Sequence, residues 1–199
     1  MIYLMRHGQT VWNAERRYQG WRDSGLTGRG ETQARAAGRL LKDLVADIGR
    51  LDVVCSPLGR AVATMRLAIG ELDLAPSVIR TDDRLKEVSL GAWEGILDKD
   101  VARRWPDELA ARRADPWTAA PPGGENLSAV SDRVGAWLSE RDETRPLLVV
   151  THGVAGKVLR GLYLGLKRDE IVSLSTFGQD ELHVLAGGIS QTHETPAIS

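Results

Sequence analysis

The sequence predicts an α/β fold in which helices cover both faces of a mostly parallel sheet. Three short apolar runs, at residues 2–5, 51–54 and 147–150, carry this prediction, and each is followed by a stretch with helical character. The runs consist mainly of β-branched or large aliphatic residues, which is typical of strands buried on both faces. Their alternation with helices predicts a three-layer α/β/α domain.

The helices are predicted from apolar spacing and from capping residues. Thr27 opens a segment whose apolar residues recur at spacings of three and four, the pattern of an amphipathic helix. These residues are Ala34, Ala37, Leu40, Leu41, Leu44 and Val45. After the second strand, Ser56 is a suitable N-cap and Pro57 fits the first helical position. A third helix is predicted over residues 154–166, directly after the third strand.

Residues 96–126, called the lid insertion below, are expected to fold over the sheet rather than to form a second domain. Helical pieces are predicted at 98–105 and 107–114, followed by a stretch rich in Pro and Gly. Two further strands are expected, at residues 78–81 and 181–185. The polar segment from Gly187 to the end is expected to be a loose tail.

Composition narrows the classes of protein. A chain of 199 residues is typical of a single domain, here expected to span 1–199. With 26 basic and 27 acidic side chains, the chain lacks the charge excess of a nucleic-acid or membrane-binding protein. Its first apolar run is too short for a signal peptide or a membrane span, so we expect a cytoplasmic protein. Cys55 is the single cysteine, which excludes an internal disulfide.

Candidate functional residues follow the predicted strands. Arg6 and His7 come after the first strand, His152 comes after the third, and Arg60 lies near the start of the helix after the second. Ligands of open α/β sheets bind outside the carboxyl ends of the strands, so these side chains are expected to converge. Two imidazoles and two guanidiniums beside helix N-termini have the composition of a phosphate-binding site.

The same residues predict how a phosphoryl group would be handled. The sequence contains no Gly-x-x-x-x-Gly-Lys-[Ser/Thr] loop, and no Asp-rich cluster follows the strands. We therefore expect neither a metal nor a cofactor, with charge offset by Arg, protonated His and backbone amides. Neutral imidazole is a good nucleophile toward phosphorus near pH 7. One histidine would attack while the other, protonated, stabilises the phosphoryl oxygens.

A proton donor for the departing alkoxide is expected in residues 84–95. Glu87 is the best candidate, because an apolar, Trp-containing turn beside it would bury the carboxyl group and favour the protonated form that a general acid requires. Asp82, Asp83 and Glu94 are rival candidates, and a carboxylate that caps a turn is the alternative interpretation of Glu87.

At these residues the chain resembles the histidine phosphatase superfamily, in the branch shared with phosphoglycerate mutases. Arg6-His7-Gly8 opens the resemblance, and six ordered segments carry it: 4–13, 20–30, 56–61, 85–95, 122–125 and 150–153. It covers most of the chain and implies a phosphoglycerate mutase-like fold. Two positions depart from the family pattern: Gln9 stands where many members have Glu, and Asn126 where Ser is usual.

The resemblance also implies roles for individual residues. His7 would be the nucleophile that becomes phosphorylated, and Glu87 would be the acid and then the base. The residues implied to bind the phosphoryl group are Arg6, Arg60, His152, Asn13 and the Gly153 amide. Gln19 occupies a position at which the family often contacts substrate.

The expected function is hydrolysis of a small phosphate monoester, with a homodimer as a further expectation. The short lid insertion and residues 90–95 resemble phosphatases rather than mutases. A mutase remains the alternative, because arginines of the insertion could bind a second phosphate or could simply be solvated: Arg103, Arg104, Arg112 and Arg113. Two further alternatives are a non-catalytic phospho-ligand module and a metal site of His7, His152 and Glu87.

Overall fold

Six strands form one sheet in the structure, a computed structural model that describes residues 1–195. The strands are β1 Ile2–Arg6, β2 Asp52–Cys55, β3 Arg80–Thr81, β4 Leu147–Thr151, β5 Glu181–Ala186 and β6 Ile189–Glu194. Their spatial order is β3-β2-β4-β1-β5-β6. The first four in that order run parallel to one another. Strand β5 pairs antiparallel with β1, and β6 pairs antiparallel with β5. The predicted mostly parallel sheet is confirmed.

Helices cover both faces of this sheet. They are α1 Val11–Ala14, α2 Gly28–Leu44, α3 Gly59–Gly70, α4 Asp98–Arg104, α5 Pro106–Ala114, α6 Leu127–Ser139, α7 Gly153–Tyr163 and α8 Arg168–Ser173. Because side chains alternate along β1, Tyr3 and Met5 pack with α2 and α3, whereas Ile2 and Leu4 pack with α6 and α7. The predicted three-layer α/β/α arrangement is confirmed.

The lid insertion packs onto the hydrophobic core that lies between the sheet and helices α6 and α7. Its helices α4 and α5 form where they were predicted, and Val101 and Leu109 bury their side chains beside Trp93. The insertion ends at Asn126, which caps α6 by accepting a hydrogen bond from the Ala129 amide at 2.9 Å. Asparagine therefore supplies the N-cap at the position where the resembled family usually has serine.

The predicted start of α3 and the predicted extent of β3 are wrong. Helix α3 begins at Gly59 with Leu58 as its N-cap, so Ser56 and Pro57 precede the helix. Within the segment predicted as a strand at 78–81, only Arg80–Thr81 pairs with β2, because a 3₁₀ turn occupies Pro76–Val78.

The expected loose tail is also wrong for residues 187–195. Gly187 and Gly188, both with positive φ, form a tight turn that returns the chain antiparallel to β5 as β6. Its residues are polar because β6 is an edge strand with one side toward solvent. Residues 196–199 of the predicted tail lie outside the described residues.

Candidate active site

A cleft of about 350 Å³ lies at the carboxyl ends of β1 and β4. Its lining residues are Arg6, His7, Asn13, Arg17, Tyr18, Gln19, Gly20, Arg60, Glu87, Val88, Leu90, Arg112 and Val154. His152 lies directly against the cleft, with its ring centroid 5.1 Å from that of His7. The structure thus brings together the residues predicted from the ends of separate strands.

His7 is held in one orientation at the end of β1. Its backbone amide donates to the Thr151 carbonyl at 3.0 Å, and its Nδ1 lies 2.8 Å from the Gly8 carbonyl. A carbonyl oxygen can only accept, so Nδ1 carries the proton and Nε2 carries the free lone pair. Nε2 is therefore the nucleophilic atom of this imidazole.

Three buried nitrogen atoms in the predicted phosphate site have no protein partner. Within residues 1–195, four buried side-chain nitrogen atoms lack a hydrogen bond: Arg6 Nε, Arg60 Nε, His152 Nδ1 and Trp93 Nε1. Trp93 belongs to the hydrophobic core, but the other three belong to Arg6 and Arg60, which line the cleft, and to His152 beside His7. An unpaired buried polar group costs about 1–3 kcal/mol, so three in one place are well suited to a ligand with several oxygen atoms.

The Arg60 guanidinium is held in place by the chain from Gly20 to Asp23. Its Nη2 donates to the Gly20 carbonyl at 2.7 Å, and its Nη1 donates to the Arg22 carbonyl at 2.8 Å and to Asp23 at 2.7 Å. Asp23 also accepts from the Gly59 amide at the start of α3. These contacts leave Nε of Arg60 for the cleft. Sequence reasoning assigned no role to Asp23.

Arg6 and Asn13 are oriented by the segment that leads into β5. Arg6 Nη1 donates to the Phe177 carbonyl at 3.2 Å, and Gln179 Nε2 donates to Asn13 Oδ1 at 2.9 Å. Asn13 Oδ1 also accepts from the Thr10 amide, so the Nδ2 amide is the group left for a ligand. Both residues line the cleft, as predicted.

Gln19 and Gly153 also lie where they were expected. Gln19 is buried in the cleft wall and accepts from Ser24 at 3.4 Å. Gly153 is the first residue of α7, and a Cβ atom there would lie 3.3 Å from Cζ of Arg6. Glycine thus lets the Arg6 guanidinium approach the N-terminus of this helix.

Both buried imidazoles favour the neutral form. Burial holds the pKa of His7 and of His152 well below the ordinary value, and the positive charges of Arg60 and Arg6 lower both further. The low pKa disfavours the protonated His152 that the sequence analysis expects. A bound phosphate dianion would oppose the field of the two arginines and raise the pKa of both histidines.

Glu87 sits on the N-terminus of α7. Its Oε1 accepts from the Ala155 and Val88 amides at 3.0 and 2.9 Å, and its Oε2 accepts from the Val154 amide at 3.2 Å. The side chain lines the cleft as predicted, but the expected apolar burial is wrong, because three amides surround a half-buried carboxyl group.

The rival carboxylates do not line the cleft. Asp82 pairs with Arg84 at 2.8 Å, and Asp83 pairs with Lys86 at 2.8 Å on the surface. Glu94 accepts from the Trp21 and Leu90 amides, which ties two loops together. Glu87 is therefore the carboxyl group placed to exchange a proton with a ligand.

Arg133, which the sequence analysis did not identify, fixes the backbone around Glu87. Its guanidinium forms a two-point pair with Glu125, with Nε–Oε1 at 3.0 Å and Nη2–Oε2 at 2.9 Å. It also donates to the carbonyls of Arg84, Lys86 and Glu87 at 2.7, 2.7 and 3.0 Å. An arginine at the seventh position of a helix gives no local signal of such contacts.

The outer cleft is lined by residues whose position was not predicted. Arg17 and Tyr18 follow α1, and Arg112 reaches the cleft from α5 of the lid insertion. Arg112 is anchored by the Glu125 carbonyl at 3.1 Å, and burial lowers its pKa. The sequence did carry a signal for this position, because Arg112 lies three residues after the buried Leu109 and so shares its side of α5. The other arginines of the insertion are exposed: Arg103, Arg104 and Arg113.

Residues 1–195 contain neither a cluster of metal-ligating side chains nor a membrane-spanning helix. Among residues 1–195, no group of three or more His, Cys, Asp or Glu side chains is arranged to hold a metal ion, so His7, His152 and Glu87 do not form the alternative metal site. No helix in this range is long and apolar enough to cross a membrane.

Together these features define a class of protein: an α/β fold whose parallel strands end in a basic cleft with a paired-histidine centre. The sequence profile of the histidine phosphatase superfamily (branch 1) matches residues 2–186, and the chain belongs to that superfamily.

Some relatives are named as mutases and others as phosphatases. The chain is 37% identical over 178 residues to the "Probable phosphoglycerate mutase GpmB" of Erwinia tasmaniensis, covering 83% of this chain and 75% of that protein. A mycobacterial glucosyl-3-phosphoglycerate phosphatase is 30% identical, with a TM-score of 0.79 and coverage of 97% and 96%. The α-ribazole phosphatase of Shigella flexneri is 25% identical, with a TM-score of 0.81 and coverage of 98% and 96%.

Acid is expected to destabilise the fold through His7 and His152. In the unfolded chain an imidazole has a pKa of about 6.5, whereas burial lowers the pKa of both groups in the folded protein. Below about pH 6.5 the unfolded chain binds protons that the native state does not, so the free energy of unfolding decreases as pH falls. Urea titrations at a series of pH values measure this slope. A His7→Asn/His152→Asn variant should flatten it, and an unchanged slope would assign the effect to other groups.

Gly30→Ala is expected to disturb the support behind His7. Gly8 and Gly30 pack backbone against backbone, and a Cβ atom at Gly30 would collide with the Gln9 carbonyl oxygen. Overpacking of this kind costs about 1–3 kcal/mol, measurable by urea unfolding. Gly28→Ala is the matched control, because a Cβ atom there meets nothing within 4 Å. Equal stability of the two variants would contradict the close packing.

Proposed function

We propose that this protein is a metal-independent phosphomonoester hydrolase that acts on a small phosphorylated metabolite through a phosphohistidine at His7. The observation that carries the proposal is the free Nε2 lone pair of His7 beside three buried nitrogen atoms without protein partners. A lone pair aimed at phosphorus and unpaired donors for its oxygens are the two requirements of phosphoryl transfer to a side chain.

In the first step, Nε2 of His7 attacks phosphorus, the N–P bond forms and the P–O bond to the alcohol breaks. Glu87 in its acid form gives a proton to the departing oxygen. Oε1 of Glu87 already accepts two amides and Oε2 only one, so Oε2 is the oxygen that can carry this proton. The alcohol then leaves as a neutral molecule.

In the second step, the Glu87 carboxylate takes a proton from water as that water attacks phosphorus. The N–P bond breaks, inorganic phosphate forms, and Nε2 of His7 recovers its lone pair. Arg6, Arg60 and His152 offer donors to the phosphoryl oxygens in both steps. Because their guanidinium and imidazole groups are already held by other contacts, little reorganisation accompanies charge development.

The proposed substrate is a small phosphate ester with a polar or anionic alcohol part. The cleft of about 350 Å³ fits a metabolite, and Arg17, Tyr18 and Arg112 surround its outer part. A metabolite phosphate screen with released phosphate as readout tests this proposal, run with and without a chelator. Turnover that survives the chelator supports a metal-independent reaction, and turnover of an aryl phosphate argues against an inert binding module.

A phosphoglycerate mutase is the second candidate, because curated relatives carry that name and because Arg17 and Arg112 supply additional positive charge. A mutase keeps water from the phosphohistidine and returns the phosphoryl group to a second hydroxyl. Supplying 2,3-bisphosphoglycerate with a phosphoglycerate separates the two activities. An isomerised phosphoglycerate would favour the mutase, whereas inorganic phosphate favours the hydrolase.

His7→Ala is expected to abolish turnover, because the other imidazole at the cleft, His152, uses Nε2 to contact Ser56. Quenching the parent enzyme with alkali or denaturant during turnover should trap an acid-labile, base-stable phosphoryl group that the variant lacks. Circular dichroism checks that the variant is folded. Activity within tenfold of the parent would assign the nucleophile to another residue.

Glu87→Gln is expected to slow alkyl phosphates far more than aryl phosphates, because only the poorer leaving groups need a proton. The loss for alkyl esters should fall in the range of about 10²- to 10⁴-fold typical of general acid catalysis. Asp83→Asn is the matched control, since Asp83 is an exposed carboxylate four residues away that pairs with Lys86. Equal losses for both ester classes would remove Glu87 as the acid.

A further inference from the structure

Ser56 makes a contact with His152 that neither the fold nor the proposed roles explain. Its hydroxyl oxygen lies 2.7 Å from His152 Nε2, and both side chains are fully buried. Ser56 follows β2 directly, and its backbone amide donates to the Val150 carbonyl in β4 at 3.0 Å. The serine is therefore fixed to the strand that carries His152.

The remaining contacts of Ser56 determine the direction of this hydrogen bond. The Ser56 hydroxyl oxygen accepts from the Leu58 amide at 3.3 Å. Within residues 1–195 its other polar neighbour is His152 Nε2, so the hydroxyl proton has an acceptor only if Ser56 donates to that nitrogen. The opposite direction would bury a hydroxyl proton without an acceptor, which costs about 1–3 kcal/mol.

We propose that Ser56 is a positioning residue that fixes His152 in the tautomer with its proton on Nδ1. This nitrogen is buried without a protein partner, in the same site as the unpartnered Nε atoms of Arg6 and Arg60. The inference rests on the proposed function in one respect, namely that a phosphoryl group binds in this cleft. In the other tautomer, Nδ1 would direct a lone pair at the phosphoryl oxygens and repel them.

The choice of tautomer matters because burial favours the neutral form of His152. An imidazolium would donate from both nitrogens and would need no partner to select one. A neutral imidazole donates from one nitrogen only, and the hydrogen bond to the other nitrogen selects which. Ser56 thus makes a neutral His152 a donor to the phosphoryl group before any proton is taken up.

Nitrogen NMR of histidine-labelled protein, free of phosphate, tests the tautomer directly. The protonated nitrogen of a neutral imidazole resonates far upfield of the unprotonated one, so the two tautomers are distinguished. His152 of the parent enzyme should carry its proton on Nδ1, and Ser56→Ala should shift the population toward Nε2. A proton on Nε2 in the parent, or an unchanged tautomer in Ser56→Ala, would overturn the inference.

Kinetics on the same variants measure the effect on catalysis. Ser56→Ala should lower kcat/KM by about 10- to 100-fold, the scale found when a partner that orients a metal-bound histidine is removed, and Ser56→Thr should restore much of it. Cys55→Ala is the matched control, because it removes one fully buried heavy atom at the adjacent position without contacting His152. A similar loss in Cys55→Ala, or a loss in Ser56→Ala with the Nδ1 tautomer retained, would show a merely structural role.

The two proposals fail in different ways. If the parent enzyme forms no phosphohistidine and hydrolyses no ester, the proposed function is wrong, while the tautomer of His152 is still measured in the free protein. If turnover is normal but Ser56→Ala leaves both tautomer and kcat/KM unchanged, the positioning role of Ser56 alone is wrong.

Discussion

Burial of two imidazoles under two guanidiniums is the constraint on which the rest of the site depends. Burial and positive charge lower the pKa of His7 and of His152, and a neutral His7 retains its Nε2 lone pair. The same burial leaves three nitrogen atoms without protein partners, which destabilises the folded chain. In the proposed function, a tetrahedral oxyanion would relieve this cost and oppose the charge of the arginines, so stability and ligand binding would be coupled at one point.

The second organising contact lies at Glu125, near the end of the lid insertion. Its carboxylate pairs with Arg133, which holds the carbonyls around Glu87, and also accepts from the Ser89 amide. Its carbonyl accepts from Arg112 at the outer part of the cleft. One residue therefore connects Arg112 at the outer cleft with Arg133 behind Glu87. Under the proposed mechanism, a change at the end of the insertion would act on both parts of the cleft.

Much of the site could be predicted because it depends on local rules. A parallel strand ends at a sheet edge, so Arg6, His7 and His152 could be expected to meet once the strands were recognised. Arg133 and Asp23 could not be predicted in the same way, since their partners lie many residues away and their contacts need the assembled fold. The segment forming β6 is polar, and its pairing with β5 is set by a two-glycine turn rather than by an apolar pattern.

Protonation states were the least predictable feature, because they depend on burial that a sequence does not give.

Residues that lead into the antiparallel side of the sheet also support the cleft. Phe177 and Gln179, which lead into β5, hold Arg6 and Asn13 from the far side of the cleft. A chain that ended before Phe177 would lack both contacts and would also lack β5, the antiparallel neighbour of β1. Under the proposed function, His7 would then remain in the sequence while Arg6 and Asn13 lost the contacts that orient them.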